Sequence, residues 1–314
     1  MIIVTIPAYN EEETIGEVIR RVPRKIGRER VKVIVIDDGS RDETVAVAKK
    51  AGADKIVSHV RNRGVGAAFR TGVRTALEMN ADIMVNIDAD LQFGPEDIPK
   101  LVEPILSGEA DMVTCSRFLD PSLEVEPKMP WVKRLGNKLF TGIVNWLAGK
   151  KFTDTQCGFR AYSREALLRL SLFGDYTYTQ EVFLDLLNKG MRIVEVPCKV
   201  RGKRNGKSRL IKHWYTYGLK SLYIIMKTIR DQQPMKFFGA IGLTVFLVGV
   251  FSGVFLLTRW FATGQITPYR SLIDLMMLTV IVGFLLIILA LIADMLDRQR
   301  KLLEEIVYRQ KVKK

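Results

Sequence analysis

Between Lys236 and Arg259 the chain passes through 22 residues, Phe237 to Thr258, without a charged side chain, and between Asp274 and Asp294 it does so again for 19. At 1.5 Å of rise per residue the first run makes a helix about 33 Å long, and roughly 20 apolar residues suffice to cross a bilayer. Helices suit that setting because they satisfy every backbone polar group within the segment. Two such runs, joined by the short stretch "RWFATGQITPYR", predict a transmembrane hairpin.

The joining stretch carries only Arg259 and Arg270. Lys220, Lys227, Arg230 and Lys236 precede the first run, and Arg298, Arg300 and Lys301 follow the second. By the positive-inside rule both outer flanks are cytoplasmic. The expectation is an integral membrane protein whose large N-terminal part lies on the cytosolic face. The opening "MIIVTIPAYN" moves from a short strand-like run straight to polar residues and predicts no signal peptide.

The first 115 residues alternate β-rich runs with amphipathic helical patterns. Strands are predicted at Ile2–Ile6, Val31–Ile36, Lys55–Ser58, Ile83–Ile87 and Met112–Thr114, and helices at Glu13–Arg21, Glu43–Lys50, Val65–Met79 and Pro95–Leu106. Such alternation implies an α/β sheet, mostly parallel, whose ligands bind beyond the carboxyl ends of the strands. "PAYNEEE", "DDGSRDE" and "DADLQ" all fall at that edge.

"MVNIDADLQFGPEDI" is the most pointed of these segments, because the apolar run Met84 to Ile87 leads into Asp88 and Asp90 with Gln92 next in the alternation. In an extended strand residues i and i+2 share a face, so the two carboxylates are expected to converge. Adjacent carboxylates repel unless a cation or a proton lies between them, and Mg²⁺ or Mn²⁺ accepts such an oxygen-only set together with substrate phosphates. The competing reading is a solvated acidic turn ahead of the helix near Pro95. A calcium loop is excluded, since Phe93 stands where Gly is needed and Pro99 where Glu is needed.

Asp37 and Asp38 follow the buried run "VKVIVI", and Ser40 or Asp42 can cap the next helix. Capping accounts for Asp42 but not for Asp38, which is the functional candidate. "RNRGVGAAFRTG" fits close packing of a helix on the sheet at least as well as a phosphate loop, because the Lys-Ser/Thr ending is missing.

The net charge of +14 suits nucleic acid, anionic lipid or phosphorylated substrates, and with two membrane spans a good share of it is expected on a membrane-facing and phosphate-facing surface. Cys115, Cys157 and Cys198 are few, odd in number and widely spaced, which predicts reduced core residues and no zinc site. With only His59 and His213, histidine chemistry is not expected. "LIKHWYTYGLKSLYIIMKTIR", about Leu210 to Arg230, mixes aromatic and cationic residues as an interfacial helix does, or as an amphipathic helix packed on the soluble domain does. The tail "RQKVKK" reads as a simple basic end.

Taken in order, "IPAYNEEETI", "VIDDGSRDET", "IDADLQ", "SRF", "TQCGFRAY" and "EVP" resemble glycosyltransferase family 2, and within it the polyprenyl-phosphate and dolichyl-phosphate sugar synthases. The resemblance covers roughly residues 1 to 210. It implies a GT-A fold, a Rossmann-like nucleotide-diphospho-sugar transferase architecture, with a nucleotide-sugar donor and a divalent metal, Mg²⁺ or Mn²⁺. The domains expected are a GT-A catalytic part at 1–209, interfacial helices at 210–235 and the hairpin with its basic tail at 236–314.

The resemblance also implies roles for residues. Pro7, Tyr9, Glu11, Asp38 and Ala89 correspond to donor-nucleotide positions, and Asp88, Asp90 and Gln92 to the metal and diphosphate motif. Arg117 matches a position that approaches the reacting phosphates of donor and acceptor. "RGKRNGKSRL" resembles a loop that closes over the diphosphate, with Lys203 where Arg is usual and Arg209 where Lys is usual. Arg204 is a member of that basic group, and Arg201 or Arg204 can compensate for Lys203. Lys133, Arg134 and Asn137 in "KMPWVKRLGNKL" correspond to the acceptor-phosphate region. Attraction to the membrane surface is the competing account of the cations.

Members of this family invert the anomeric centre in one displacement. A phosphate acceptor is already anionic near neutral pH, its second pKa being about 6, so no general base is required. Glu181 is the candidate if one is needed. The absence of Q-x-x-R-W after the soluble part predicts one sugar per turnover. The leading expectation is transfer of one hexose, first guess from GDP-mannose, to a membrane polyprenyl or dolichyl phosphate, with no nucleic-acid partner and the oligomeric state open. UDP-glucose or UDP-N-acetylglucosamine is the rival donor. From another class, a non-catalytic scaffold binding anionic lipid or nucleic acid predicts no need for divalent metal.

Overall fold

The computed structural model describes residues 1–120, 131–171, 178–200, 226, 230 and 233–312, and it divides into two units, Met1–Lys212 and His213–Lys314. The first unit is built on one eight-stranded sheet. Its strands are β1 (Ile2–Ala8), β2 (Lys25–Ile26), β3 (Glu29–Asp37), β4 (Lys55–Ser58), β5 (Ile83–Asn86), β6 (Met112–Ser116), β7 (Arg160–Ser163) and β8 (Ile193–Pro197). They lie in the order β2-β3-β1-β5-β7-β6-β8, with β4 beside β3.

Strand β1 shows why the sheet is central. Ile2, Val4 and Ile6 pack on one side with Ile15, Val18 and Ile19 of α1 (Ile15–Arg21) and with Ile98, Leu101 and Val102 of α4 (Ile98–Leu106). Ile3 faces the other way, in a cluster with Ala68, Phe69 and Val73 of α3 (Val65–Glu78) and Val182 and Phe183 of α7 (Tyr178–Asn188). A strand covered on both faces is near-continuously apolar, and "VKVIVI" and "MIIVTI" supply this apart from the half-buried Lys32 and from Thr5, whose buried hydroxyl bonds the Val85 carbonyl at 3.3 Å. α2 (Thr44–Lys50), α5 (Trp131–Ala148) and α6 (Arg164–Arg169) complete the unit. Each strand and helix expected in the first 115 residues is present, within two residues at most ends, and the sheet is mainly parallel as expected.

Two strands depart from parallel pairing: the short β2 runs antiparallel on β3 at the edge, and β7 runs antiparallel between β5 and β6. It opens on Arg160, whose side chain is fully buried. The guanidinium is tolerated there because Nη1 donates to the Thr179 carbonyl at 2.7 Å and Nη2 to the Thr155 carbonyl at 2.9 Å, with the Phe183 ring 4.6 Å away.

The expectation that all three cysteines are reduced is corrected for two of them. Cys115 and Cys198 are joined as a disulfide, with Cα atoms 5.6 Å apart. They are 83 residues apart in the chain, but β6 and β8 are neighbours in the sheet, with Cys115 opposite Val196. Cys157 is free and buried, as expected.

The second unit contains α8 (Pro234–Thr263) and α9 (Arg270–Val312), both long and apolar enough to cross a membrane. They pack through glycine. A Cβ on Gly242 would stand 2.9 Å from the Ile287 backbone nitrogen, one on Gly249 2.9 Å from that of Val280, and one on Gly283 2.6 Å from Phe246 Cα. Small residues let helix backbones approach this closely where no hydrophobic effect drives helices together. The C-terminal stretch is more than a basic end, since α9 continues unbroken to Val312. Ion pairs one turn apart support it, among them Arg298–Asp294 at 2.9 Å, Lys301–Asp297 at 2.7 Å and Arg309–Glu305 at 2.9 Å. The expected interfacial segment at 210–230 lies outside the described residues except for Met226 and Arg230, both helical and exposed.

Candidate active site

Strands β1, β3, β5 and β6 point the same way, so the segments after Ala8, Asp37, Asn86 and Ser116 emerge at one edge of the sheet. The turn leading into β7 returns to that edge, since Arg160 pairs with both Asn86 and Thr114. Tyr9, Glu11, Asp38, Asp88, Asp90 and Arg117 therefore share one rim.

The first two loops are stitched together. The Asn10 amide donates to Ser40 Oγ at 3.0 Å, Arg41 N to Asn10 Oδ1 at 2.9 Å, Glu11 N to Thr44 Oγ1 at 2.9 Å, and Glu43 N to Glu12 Oε2 at 2.8 Å. Asn10 takes a left-handed φ of 53° to make this exchange. The N-cap of α2 is Glu43, not Ser40 or Asp42 as expected; Asp42, one residue earlier, accepts from Thr44 N at 3.1 Å in the turn that leads into the helix. Burial works against its ionised form, but the bonds from Thr44 and Glu12 outweigh this and hold the carboxyl below its ordinary pKa. Pro7, Tyr9 and Glu11 are half-buried on this rim.

Asp38 is buried at 4% exposure and engaged on both oxygens. Oδ1 accepts from Arg63 N at 2.9 Å and lies 2.7 Å from His59 Nδ1, while Oδ2 accepts from Gly64 N at 2.8 Å. His59 Nε2 is 2.9 Å from Thr71 Oγ1, so this ring has a structural place and no open coordination. The carboxylate thus sits at the entry of α3, where a phosphate-loop reading would put an anion. Gly72 of the same motif packs on Thr5 and Ile36, which fits the packing account of the glycines.

Gly39 has φ +75°, and a Cβ there would fall 2.7 Å from the Arg61 carbonyl carbon and 2.9 Å from Asn62 N. Gly39→Ala is expected to cost about 1–3 kcal/mol of stability, read as a lower thermal unfolding midpoint.

Around Asp88 the structure changes the expected geometry. β5 ends at Asn86, so Asp88 and Asp90 lie in a turn and do not alternate along a strand. Leu91 has φ 59°, and Asp90 Oδ1 accepts from Gln92 N at 3.1 Å, which bends the chain. Asp88, Asp90 and Gln92 are half-buried. Ala89 is 3% exposed, so what it can present to a ligand is backbone.

Arg117 is the most constrained cation of the rim. Its Nε donates to Asp154 Oδ2 at 2.6 Å and its Nη2 to Asp154 Oδ1 at 2.9 Å, a two-pronged pair with the carboxylate fully buried. Asn137 Nδ2 also donates to Asp154 Oδ1, at 3.1 Å, and its carbonyl accepts from Thr141. Burial pushes the Asp154 carboxyl up, and Arg117 together with Asn137 pulls it below the ordinary carboxylate range. Burial likewise disfavours the charged guanidinium, yet Asp154 holds its pKa above the usual value, with Asp88 adding to the attraction.

Beneath this pair Glu195 of "EVP" accepts from Asp154 N at 2.8 Å and Thr153 N at 2.8 Å. Burial holds the Glu195 carboxyl above its usual pKa despite those bonds. Tyr178 is also near Asp88. Its hydroxyl is raised well above the ordinary value, first by burial and then by Asp88.

Arg134 is exposed on α5, and of Lys133 only the backbone is described. Glu181 lies half-buried in the first turn of α7. Lys203, Arg204 and Arg209 fall outside the described residues. Val200, just before that basic stretch, bridges Phe93 of the "DADLQF" turn. Asp154, Glu195 and Asn86 are participants that the sequence reading did not single out.

Among the described residues no group of three or more His, Cys, Asp and Glu side chains gathers as a metal site. The oxygen donors of Asp88 and Asp90 fit a hard divalent ion that completes its shell with substrate phosphate and water, as Mg²⁺ does. They do not fit a closed structural zinc site.

Comparison with known proteins gives a family match. The model of the family "Glycosyl transferase family 2" matches residues 3–170. A UDP-N-acetylglucosamine–dolichyl-phosphate N-acetylglucosaminyltransferase of Methanococcus voltae is 34% identical over 218 residues, covering 63% of this chain and 85% of the relative. A polyprenol monophosphomannose synthase of Mycolicibacterium smegmatis is 31% identical over 217 residues, covering 66% and 80%. Among solved structures, glucosyl-3-phosphoglycerate synthase from Mycobacterium tuberculosis, in complex with Mn²⁺, UDP and glucosyl-3-phosphoglycerate, superposes with a TM-score of 0.57 at 28% identity. That match covers 73% of this chain and 78% of the other. With its sheet, its rim of acidic loops and a family match across more than half its length, the chain belongs to glycosyl transferase family 2.

Proposed function

We propose that this protein transfers a single hexose from a nucleotide-diphosphate sugar to a polyprenyl or dolichyl phosphate, with inversion, at the cytosolic face of a membrane. The observation that carries the reading is the rim itself, where the turn after β5 brings Asp88 and Asp90 to the same sheet edge as Arg117 after β6. One sign of charge suits a cation and the other suits phosphate, and a diphosphate leaving group needs both. The two apolar helices and the names of the relatives support a lipid-linked acceptor.

The residues divide the work as follows. Asp88 and Asp90 would hold a divalent cation, Mg²⁺ or Mn²⁺, with Gln92 beside them, and the chemistry so supplied would be neutralisation of charge on the departing diphosphate. Pro7, Tyr9, Glu11, Asp38 and the Ala89 backbone shape the nucleotide side. Arg117, braced by Asp154, is the guanidinium of the rim that would pair with phosphate. Lys133, Arg134 and the basic group Lys203, Arg204 and Arg209 add positive charge for acceptor and diphosphate, and Asn137 acts through Asp154.

The acceptor phosphate oxygen forms the bond to the anomeric carbon as the bond to the donor diphosphate breaks, and no proton need be removed. Positioning and charge stabilisation then supply the rate. Membrane attachment raises the effective concentration of an acceptor confined to the bilayer.

GDP-mannose is the first donor to try. A UDP-sugar is the second reading, favoured by the UDP in the structural neighbour and by the Methanococcus relative. The test is turnover of the purified full chain with polyprenyl phosphate and, in turn, GDP-mannose, UDP-glucose and UDP-N-acetylglucosamine, each with Mn²⁺ and with EDTA. A lipid-linked sugar from one donor, lost in EDTA, is expected. Equal product in EDTA removes the cation from the scheme. Folded protein that uses none of the three donors overturns this acceptor and favours the scaffold reading.

A further inference from the structure

Gly158 lies in the turn before β7, and a Cβ built on it would stand 3.2 Å from the Tyr178 hydroxyl oxygen and 3.3 Å from Asp88 Oδ2. Its φ is not in the left-handed region, so the backbone itself does not demand glycine. What the position demands is space. A methyl group here would press on a phenol and a carboxylate together, so the missing side chain is what lets those two groups share one gap.

Tyr178 is held on its other sides. Its ring stacks on Phe69, with centroids 4.2 Å apart and planes inclined by 15°. Asn86 Nδ2 donates to the Tyr178 oxygen at 3.1 Å and to the Gly158 carbonyl at 3.1 Å, and the Asn86 carbonyl is 3.3 Å from Thr5 Oγ1. One lone pair of the phenol oxygen is therefore occupied by the Asn86 amide. The phenolic proton is left to point elsewhere, and Asp88 presents an acceptor across the gap that Gly158 leaves. Tyr178 itself is 3% exposed, so it acts on substrate only through a neighbour.

We propose that Tyr178, with Asn86 and Gly158, is a positioning set for Asp88: the Tyr178 hydroxyl faces the carboxylate across the gap at Gly158 and, when the cation binds, closes on one carboxylate oxygen and so turns the other toward the cation. This rests on the reading of Asp88 as a cation ligand. Carboxylates that bind metals are themselves held by hydrogen bonds, and removal of such a partner typically weakens metal affinity or activity roughly 10–100-fold.

The test is titration of Mn²⁺ into the full-length protein in detergent, followed by the loss of the free-ion signal in electron paramagnetic resonance, with UDP and in parallel with GDP. Wild type is compared with Asp88→Asn, Tyr178→Phe and Gly158→Ala. Tyr178→Phe keeps the ring on Phe69 and loses only the hydroxyl. It is expected to weaken Mn²⁺ binding about 10-fold, and to raise the Mn²⁺ needed for half-maximal turnover by a similar factor, with turnover recovering at saturating Mn²⁺. Gly158→Ala is expected to weaken binding further, since the methyl displaces the carboxylate, the hydroxyl or both.

Wild-type Mn²⁺ affinity in both variants, with affinity lost in Asp88→Asn, overturns the positioning role and leaves the cation site standing. Failure of the wild type to bind Mn²⁺ with either nucleotide overturns the cation site, and this proposal with it. Turnover in Tyr178→Phe that stays low at saturating Mn²⁺ while affinity is unchanged assigns the hydroxyl a different task. Should Gly158→Ala not fold, Tyr178→Phe decides alone.

Discussion

Asp90→Asn is expected to lower sugar transfer on the order of 10³-fold in Mg²⁺ or Mn²⁺, with the fold and membrane insertion unchanged. Asn keeps the carbonyl oxygen that accepts from Gln92 N at 3.1 Å, so the turn that carries Asp88 to Gln92 retains its bond. What the substitution removes is one negative charge from a pair of carboxylates. A bound divalent ion supplies several kcal/mol of charge stabilisation to a reacting phosphoryl group, and each 1.4 kcal/mol or so is tenfold in rate. The assay is turnover as a function of Mn²⁺, with the thermal midpoint of the same sample as the control for folding. Unchanged turnover at all Mn²⁺ concentrations excludes Asp90 from cation binding.

Asp154→Asn has the largest expected effect on stability. The wild-type carboxylate is fully buried and accepts from Arg117 Nε, Arg117 Nη2, Asn137 Nδ2 and the Gln156 amide. Asn removes the charge and turns an NH₂ group toward donors, leaving the guanidinium without its counter-ion in a largely enclosed site. Breaking a buried pair from one side costs about 3–5 kcal/mol, which for a unit of this size lowers the thermal midpoint on the order of 10 °C. Activity falls as well, because Arg117 loses the two-pronged brace that aims it.

The pH dependence has a definite sign. The Asp154 pKa is lowered in the folded protein, so its contribution is fully present above the ordinary carboxylate pKa of about 3.9, and it is lost as pH falls through the folded value. Glu195 opposes this, since its pKa is raised and its contribution is lost as pH rises through the folded value. Thermal midpoints of wild type and Asp154→Asn measured from pH 7 downward are expected to converge below about pH 4. A constant gap across that range places the stabilisation somewhere other than the ionised pair.

Much of the catalytic unit was legible in the chain because its first half obeys simple periodicities. "VKVIVI" and "MIIVTI" are apolar at all but one position each and rich in β-branched residues, as strands covered on both faces are, and the loops after them carry polar residues where the sheet ends. β7 was not legible. "RAYS" is four residues long and opens on an arginine, and only the carbonyls of Thr155 and Thr179 make that arginine compatible with a sheet interior. The place of Asp154 was hidden for a related reason. A single aspartate in "FTDTQ" shows no partner in sequence, and Arg117, 37 residues earlier, becomes one when β6 and the turn before β7 meet. Cys115 and Cys198 were misjudged in the same way, since chain separation says nothing about neighbouring strands that no one has yet placed. The two long helices needed no tertiary information, because the lack of charge over each span defines them.

The glycine contacts between α8 and α9 bear on how a lipid travels. Where Gly242, Gly249 and Gly283 bring one backbone against the other, the seam is too narrow to admit an acyl or isoprenoid tail. At these three levels lipid chains meet only the outside of the pair, where Phe251, Leu257, Phe284 and Leu285 project and stand exposed.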